Sequence, residues 1–252
     1  MRQLIHAPER PLLTAEWRHL ALLQYAVDPA LLTPLVPRGT ELDHWQNRTL
    51  VSMVGFRFLR VRVLGVSIPL HTDFDEVNLR FYVRRRVADG WRRAVVFVRE
   101  IVPRRAVALV ARCLYGEPYL ALPMRHLVEM RETPEARGRL RYQWRHAGRW
   151  QSIEAETDGP PAPAPPKSEE EFITEHYWGY SRQRDGGTIE YHVAHPRWDL
   201  WRVRRARLTC DAAALYGAPF AAVLAAEPVS AFVAVGSAVA VFRGRRLPEG
   251  AA

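Results

Sequence analysis

The sequence predicts a mainly β fold with a few short helices, and three observations predict it. Long runs alternate apolar and polar side chains with period two, most clearly FDEVNLRFYVRRRV at 74–87. These runs are rich in β-branched and aromatic residues and are separated by turn residues such as Asp89-Gly90. A chain of 252 residues also fits one all-β unit as readily as two small domains. Apolar residues at 48% and charged residues at 25% are the ordinary balance of a globular protein, which excludes wholesale disorder and a collagen-like chain.

The first strand expected is Trp17–Val27. Asp28-Pro29 then offers an N-cap and a proline at N1 for a short helix, ALLTPLV. Thr49–Val63 and Phe74–Val87 read as strands, and Arg93–Val102 as the strand returning from the Asp89-Gly90 turn. The period changes at Arg104–Tyr115, where Val107, Val110, Ala111 and Leu114 take helical spacing before Gly116. Leu122–Met130, Arg139–His146 and Trp150–Glu156 return to strand. Thr157–Pro166 (TDGPPAPAPP) has no periodicity and reads as an extended surface connector inside a single unit spanning 1–252, since neither half shows a clean core of its own. Ser168 and Glu171 form a capping box for a short helix. Strands follow at Tyr177–Gln183, Thr188–His195 and Arg202–Thr209. Asp211 caps a helix, and Val229–Arg243 is a bent strand or long hairpin.

Lys and Arg total 36 against 27 acids, a net charge of +9, and Lys167 is the only lysine. Such a balance fits a nucleic-acid or membrane-surface partner, or an arginine-rich codon bias. Arginine interleaves with aromatics at 139–150 and 197–207, a pattern that tracks phosphates and stacks bases. Alternating arginine and aromatic is equally what a two-faced strand requires, and the charge is dispersed rather than gathered in a patch. Cys113 and Cys210 have no CxxC spacing, which excludes a cysteine-ligated zinc site and a disulfide framework. The first residues carry no signal-peptide pattern, so a reducing cytoplasm is expected. The apolar stretch from Ala212 to Phe242 is broken by Glu227-Pro228 and is too interrupted to span a membrane.

The most informative segment is again 74–83. Glu76, Asn78, Arg80 and Tyr82 share one strand face, spaced about 7 Å apart. Val77, Leu79, Phe81 and Val83 share the other. If the first face lines an interior, it is a polar pocket wall. Arg80 then holds a carboxylate through a bidentate pair, and a partly buried Glu76 with raised pKa moves a proton. If it faces water, the apolar face alone is core. His192 and His195 fall on opposite faces of their strand, so no shared metal is expected. Glu175 and His176 sit at a helix end within possible reach of a pocket. No P-loop, GxGxxG or Ser-His-Asp arrangement occurs, and no cofactor is expected.

Gly116-Glu117-Pro118, following a helix and preceding Tyr119-Leu120-Ala121, resembles the acetoacetate decarboxylase motif. In that family two adjacent lysines follow GlyXPro, and the first forms a Schiff base; the handling of that lysine's pKa by desolvation and a cationic neighbour is a known example of an activated amine. The matching positions are Tyr119 and Leu120. The strand bearing Glu76 is similar to the family's strand with an active-site glutamate. The chain is more similar still to a branch of uncharacterised bacterial proteins, the YqjF-like family. The pieces that carry the likeness are Trp17 with DPALLTPLVP, the strand around Glu76, GluPheIleThrGluHisTyrTrpGlyTyr at 171–180 and HisProArgTrpAspLeu at 195–200.

The resemblance implies a closed or nearly closed antiparallel β-barrel with a central cavity, and no settled activity. Tyrosine cannot form an imine, and Lys167 lies on the connector as a solvated ammonium. Schiff-base chemistry by the family route is therefore not expected. The reading is a barrel that binds a small molecule such as a keto or carboxylic acid; turnover is left open, and any turnover proceeds without an imine. Arg80 anchors the anion, Glu76 handles a proton, and Asn78, Tyr82 and Tyr119 give hydrogen bonds. The alternatives are a non-catalytic sensor barrel with the same pocket and, less simply, an arginine-rich nucleic-acid binder. The expected partner is a small molecule, without a membrane; the oligomeric state is open, a homo-oligomer included.

Overall fold

A computed structural model describes residues 10–109, 116–130 and 137–248. In chain order the elements are β1 (Leu13–Val27), α1 (Pro29–Leu32), β2 (Glu41–Leu42), β3 (Thr49–Val63), β4 (Val66–Ser67), β5 (Phe74–Val87) and β6 (Gly90–Val102). Residues 105–109 are the described part of helix α2. Then come β7 (Tyr119–Ala121), β8 (Met124–Glu129), β9 (Arg137–His146), β10 (Arg149–Pro163), α3 (Glu169–Thr174), β11 (Trp178–Arg182), β12 (Thr188–Ala194) and β13 (Asp199–Thr209). The chain ends with α4 (Ala212–Tyr216), α5 (Ala218–Ala225), β14 (Ser230–Val241) and β15 (Arg245–Arg246).

Hydrogen bonding returns on itself through β12, β11, β6, β5, β3, β1 and β14, because β14 pairs back to β12 at Val193↔Val241 and Ala194↔Ala240. The result is a near-closed ring. Most pairs are antiparallel, but β6 runs parallel to both β7 and β11. The crossover through α2 returns the chain in the same direction to make β7, and an antiparallel hairpin cannot do that. From β14 the sheet continues outward as β13, β10, β9 and β8 and folds over one flank of the ring.

Period two divides the core between these two spaces. Ala21, Leu23, Val51, Met53, Val77, Leu79 and Phe81 face the covering sheet, where they meet Tyr142, Trp144 and Ile153. Leu20, Leu22, Val54, Phe56, Phe58, Phe74 and Tyr82 face the ring interior. Both faces of β5 are therefore buried, and the choice between pocket wall and solvent face resolves inward. Each large apolar side chain so buried contributes roughly 1.5–3 kcal/mol relative to exposure.

Several expected elements shift at their ends. The covering strand β10 runs on to Pro163, so residues 157–163 of the expected connector belong to a strand paired with β13. Its prolines are tolerated because the register jumps between Asp158 and Ala162, leaving Pro160 and Pro161 outside the ladder. Leu122–Met130 is interrupted at Pro123, which separates β7 from β8. The tip of the β5–β6 hairpin is Ala88-Asp89, with Gly90 already paired to Val87. Ser168 caps α3 as expected, accepting from the Glu171 amide, but Glu171 reaches back to the amide of Lys167 rather than of Ser168. The expected helix 104–115 is seen at 105–109; its remainder, with Cys113, lies outside the described residues. The apolar stretch 212–242 becomes α4, α5 and β14, and no described helix is long and apolar enough to cross a membrane.

The bend expected in the last strand is at Gly236, whose φ is 81°. A Cβ there would lie 2.0 Å from the Trp17 carbonyl oxygen across the sheet. Gly236→Ala is expected to destabilise the fold by about 2–4 kcal/mol, from a forbidden backbone angle and a clash with main chain that cannot swing away. Urea unfolding measures this; an unchanged midpoint would show that the strand does not need the bend.

Candidate functional site

The ring encloses a cavity of about 270 Å³. Glu76, Asn78 and Arg80, projecting inward from successive same-face positions of β5, line it, and Tyr119 joins them from β7. Four of the five expected site residues thus meet in one space. Tyr82 does not line it: one step deeper, its hydroxyl is 2.5 Å from that of Ser52, which donates to Gln24 at 2.7 Å. It supports the floor, beneath Phe172 and the ring of His176.

Glu76 is held on both carboxyl oxygens. Asn78 donates to Oε1 at 3.0 Å and the Tyr119 hydroxyl to Oε2 at 3.1 Å. Burial nevertheless raises its pKa to about 7; the bonds from Asn78 and Tyr119 and the charge of Arg80 offset only part of the desolvation. Two further carboxyls share the space. Glu117 accepts from the Tyr191 hydroxyl at 2.9 Å, and burial, reinforced by the charge of Glu76, raises its pKa to about 8. Glu100, also buried, is pushed well above the usual range by desolvation and then by Glu117 and Glu76. Its Oε2 has no hydrogen-bond partner among the described residues.

Arg80 faces this neutralised group from deeper in the ring. Only 8% of it is exposed, its Nε has no partner among the described residues, and its guanidinium lies 5.8 Å from the Tyr82 ring and donates to the Ile173 carbonyl at a long 3.5 Å. Among the described residues it forms no ion pair within 4.0 Å. A buried cation without a counterion is costly. Beside it, burial and the charges of Arg93 and Arg80 keep His176 neutral. Toward the mouth the wall becomes aromatic: Trp17, Phe56, Phe58 and Phe74 pack edge-on, tilted or stacked at 4.9–5.8 Å.

Glu100, Glu117 and Tyr191 were not singled out from the sequence. Parity along β6 explains the first. Val95 and Phe97 face the cavity, a bulge interrupts the pairing after Phe97, and Glu100 rather than Arg99 points inward. Tyr191 needs Gly179 opposite it. A Cβ at Gly179 would sit 2.1 Å from the tyrosine ring, so the glycine in Trp178-Gly179-Tyr180 is the space through which Tyr191 reaches Glu117. His195 lines the cavity, stacked on Trp198 at 4.3 Å, whereas His192 stacks between Trp178 and Phe242. His176 lines the cavity; Glu175 turns away to Tyr177 and Arg197. Lys167 is exposed at the start of α3. Among the described residues no group of three or more His, Cys, Asp or Glu side chains is arranged to hold a metal.

The arginine–aromatic runs lack the platform that base stacking requires. Tyr142, Trp144, Trp198 and Trp201 are buried, and exposed Trp150 is covered by Arg125 at 4.1 Å. The arginines between them pair with carboxylates across the covering sheet, Arg141 with Glu154 at 3.0 Å and Arg204 with Glu156 at 2.7 Å.

Residues 14–238 match a family described as an uncharacterized conserved protein, DUF2071. The chain belongs to this DUF2071 family. It is similar to the uncharacterized protein YqjF of Bacillus subtilis (strain 168), 32% identical over 111 residues, a match covering 43% of this chain and only 44% of YqjF. Its fold is that of acetoacetate decarboxylase-like proteins. The acetoacetate decarboxylase of Legionella pneumophila superposes with a TM-score of 0.66 at 16% identity, covering 100% of this chain and 93% of that one. MppR, an enduracididine biosynthesis enzyme solved with pyruvate, superposes at 0.65 with 13% identity, covering 97% and 94%. An acetoacetate decarboxylase-like enzyme of Sphingomonas wittichii RW1 gives 0.64 at 13% identity and 98% of each chain.

The buried carboxyls of this DUF2071 chain predict an inverted pH response. Glu117 in the unfolded chain ionises near 4.5, but in the fold only near 8. Above 4.5 the unfolded state loses its proton first, so stability present at low pH is lost as pH climbs from 4.5 through about 8. Glu117→Gln keeps an acceptor for Tyr191 and removes that loss. It is expected to melt close to the native chain at pH 4.5 and to be more stable by roughly 4–5 kcal/mol at pH 8.5. Equal melting of both chains at pH 8.5 would mean that Glu117 ionises normally.

Proposed function

We propose that the ring cavity binds a small keto or carboxylic acid, with Arg80 receiving the carboxylate and Glu76 exchanging a proton with the bound molecule. The observation that carries this is the buried, unpaired guanidinium of Arg80 beside carboxyls that burial holds protonated. An anion supplies the missing counterion, and well below pH 7 Glu76 and Glu117 are mostly protonated and compete little with it. The keto-acid class is supported by the neighbour MppR, solved with pyruvate, and by the decarboxylases whose fold this is.

The chemistry open to the site is proton transfer. With a pKa of about 7, Glu76 is divided between acid and base at neutral pH. As carboxylate it can take a proton from carbon next to a ketone; the C–H electron pair then becomes the C=C bond of an enolate. Tyr119, already donating to Glu76, lies where its hydroxyl can turn to the enolate oxygen. An imine is not part of this route. The position matched to the family's lysine is Tyr119, and the only amine side chain is on the surface at Lys167. A non-catalytic sensor barrel would share the anion site and differ at Glu76 alone.

Arg80→Met is expected to weaken pyruvate or acetoacetate binding about 10- to 100-fold by calorimetry, the worth of charge-assisted hydrogen bonds. Glu76→Gln should bind within a few-fold of native, yet lose solvent-deuterium exchange at the carbon next to the ketone. Native chain that binds the acid and shows no exchange would establish the sensor reading; acid binding indifferent to Arg80 would overturn both.

Acid binding should also weaken about tenfold from pH 6 to pH 9, as Glu76 and Glu117 ionise through about 7 and 8 and repel the anion. A neutral amide analogue should show no such slope. Borohydride with a keto acid is expected to leave Lys167 unmodified, read by intact mass; a stable adduct there would restore imine chemistry.

A further inference from the structure

We propose that the acid this cavity takes carries an apolar tail, which runs from Arg80 along the aromatic wall to a leucine-bearing rim at residues 63–71. This rests on the acid-binding reading above and adds the second half of the ligand.

The cavity's charged and carboxyl groups are gathered at one end, and among the outer lining His71 and His195 are the polar side chains. Along β5 and β3 the register is Arg80↔Ser52, Glu76↔Phe56 and Phe74↔Phe58. Moving outward from Arg80, the wall passes from guanidinium to carboxyl to paired phenylalanines, and then to Val61, Val63 and Ile68. Six residues of strand separate Arg80 from Phe74, about 20 Å at the usual rise. A cavity of about 270 Å³ has room for roughly nine waters at ~30 Å³ each, more than a four-carbon keto acid fills. Its outer part offers water few hydrogen-bond partners, and a hydrocarbon tail suits it better.

The rim carries an independent sign. Leu64, Val66, Ile68 and Leu70 are exposed at 68%, 64%, 47% and 80%. Both leucines also hold left-handed backbone, with φ of 51° at Leu64 and 65° at Leu70. Leu64-Gly65 is the two-residue turn between paired Val63 and Val66, where asparagine or glycine is the unstrained choice. Leucine at such positions costs backbone energy and leaves its side chain in water, so folding does not account for it. The rim is continuous with the cavity, since Val63 and Ile68 of the same hairpin line it. That continuity makes the ligand's tail the occupant.

The test is a chain-length series on the full chain by calorimetry: acetoacetate, 3-oxooctanoate and 3-oxododecanoate. Affinity should rise about fourfold for each added methylene, equivalent to ~0.8 kcal/mol of burial, until the tail reaches the rim. The double variant Leu64→Asn with Leu70→Asn suits the left-handed backbone and should fold at least as stably. It should lose about tenfold in affinity for the dodecanoate, with acetoacetate as the short control. Affinity independent of chain length, or a double variant that binds the long acid as native does, overturns the proposal. Self-association in sedimentation or vesicle binding in flotation, abolished by the double variant without change in long-acid affinity, assigns the leucines to a second copy or a bilayer and equally overturns it. Dodecanol separates the two readings. If it binds as tightly as the acid, and Arg80→Met has no effect on either, the acid reading fails and the tail stands. If all acids bind alike whatever their length, the tail fails and the acid reading stands.

Discussion

Water exclusion from one face of one strand governs the site. On an open sheet, Glu76, Asn78, Arg80 and Tyr82 would be solvated, and their ionisation would be ordinary. The ring closes over them, and the covering sheet buries the opposite face through Val77, Leu79 and Phe81. β5 has no solvent side along most of its length. Desolvation then outweighs the hydrogen bonds to Glu76, and repulsion among Glu76, Glu100 and Glu117 acts in the same direction. Carboxyls respond by keeping their protons. Arg80, buried on the same face, forms no ion pair among the described residues.

How much of this was legible follows from strand parity. The inward set on β5 could be read directly, because no bulge interrupts period two between Phe74 and Tyr82 on that strand. Which face was inward could not be read from β5 alone, since both faces are buried and only closure decides which encloses the cavity. Glu100 was hidden by the bulge after Phe97, which moves every later residue of β6 to the other face. Similar irregularities occur at His19 in β1 and Arg60 in β3, both in left-handed backbone. There Trp17 and Leu20, and Phe58 and Val61, share the interior despite odd spacing. Turn and cap chemistry carried over well at Asp28, Ser168 and Asp211, whose side chains accept the bonds expected of N-caps. The Pro-rich stretch misled because proline marks a missing donor, not a missing strand, and a register jump absorbs it.

Charge and lysine content turned out to carry different information. The arginine excess is distributed over the covering sheet in rows such as Arg205, Glu156, Arg139 and Glu129, which are cross-strand neighbours of alternating sign. That arrangement stabilises a two-faced sheet, and it disperses the basic charge among carboxylates rather than gathering it in one patch. One arginine is different in kind: Arg80 is buried and, among the described residues, forms no ion pair with a carboxylate. A total charge therefore said less about partners than the position of a single residue did.

The near-absence of lysine bears on chemistry rather than on partners. Among side chains this deeply buried, an amine would be strongly altered by desolvation, and the chain has none there among the described residues. What the cavity holds instead is a carboxyl poised near neutrality, bonded to a tyrosine hydroxyl on one oxygen and an amide on the other. Those two bonds make the two oxygens unlike. Oε2 shares the Tyr119 hydroxyl, which can rotate away to a ligand; Oε1 is held by an Asn78 amide that also fills the wall. In the proposed reaction, proton transfer through Oε2, with Tyr119 turning to the ligand's oxygen as it occurs, is therefore the route that disturbs the fewest of these bonds.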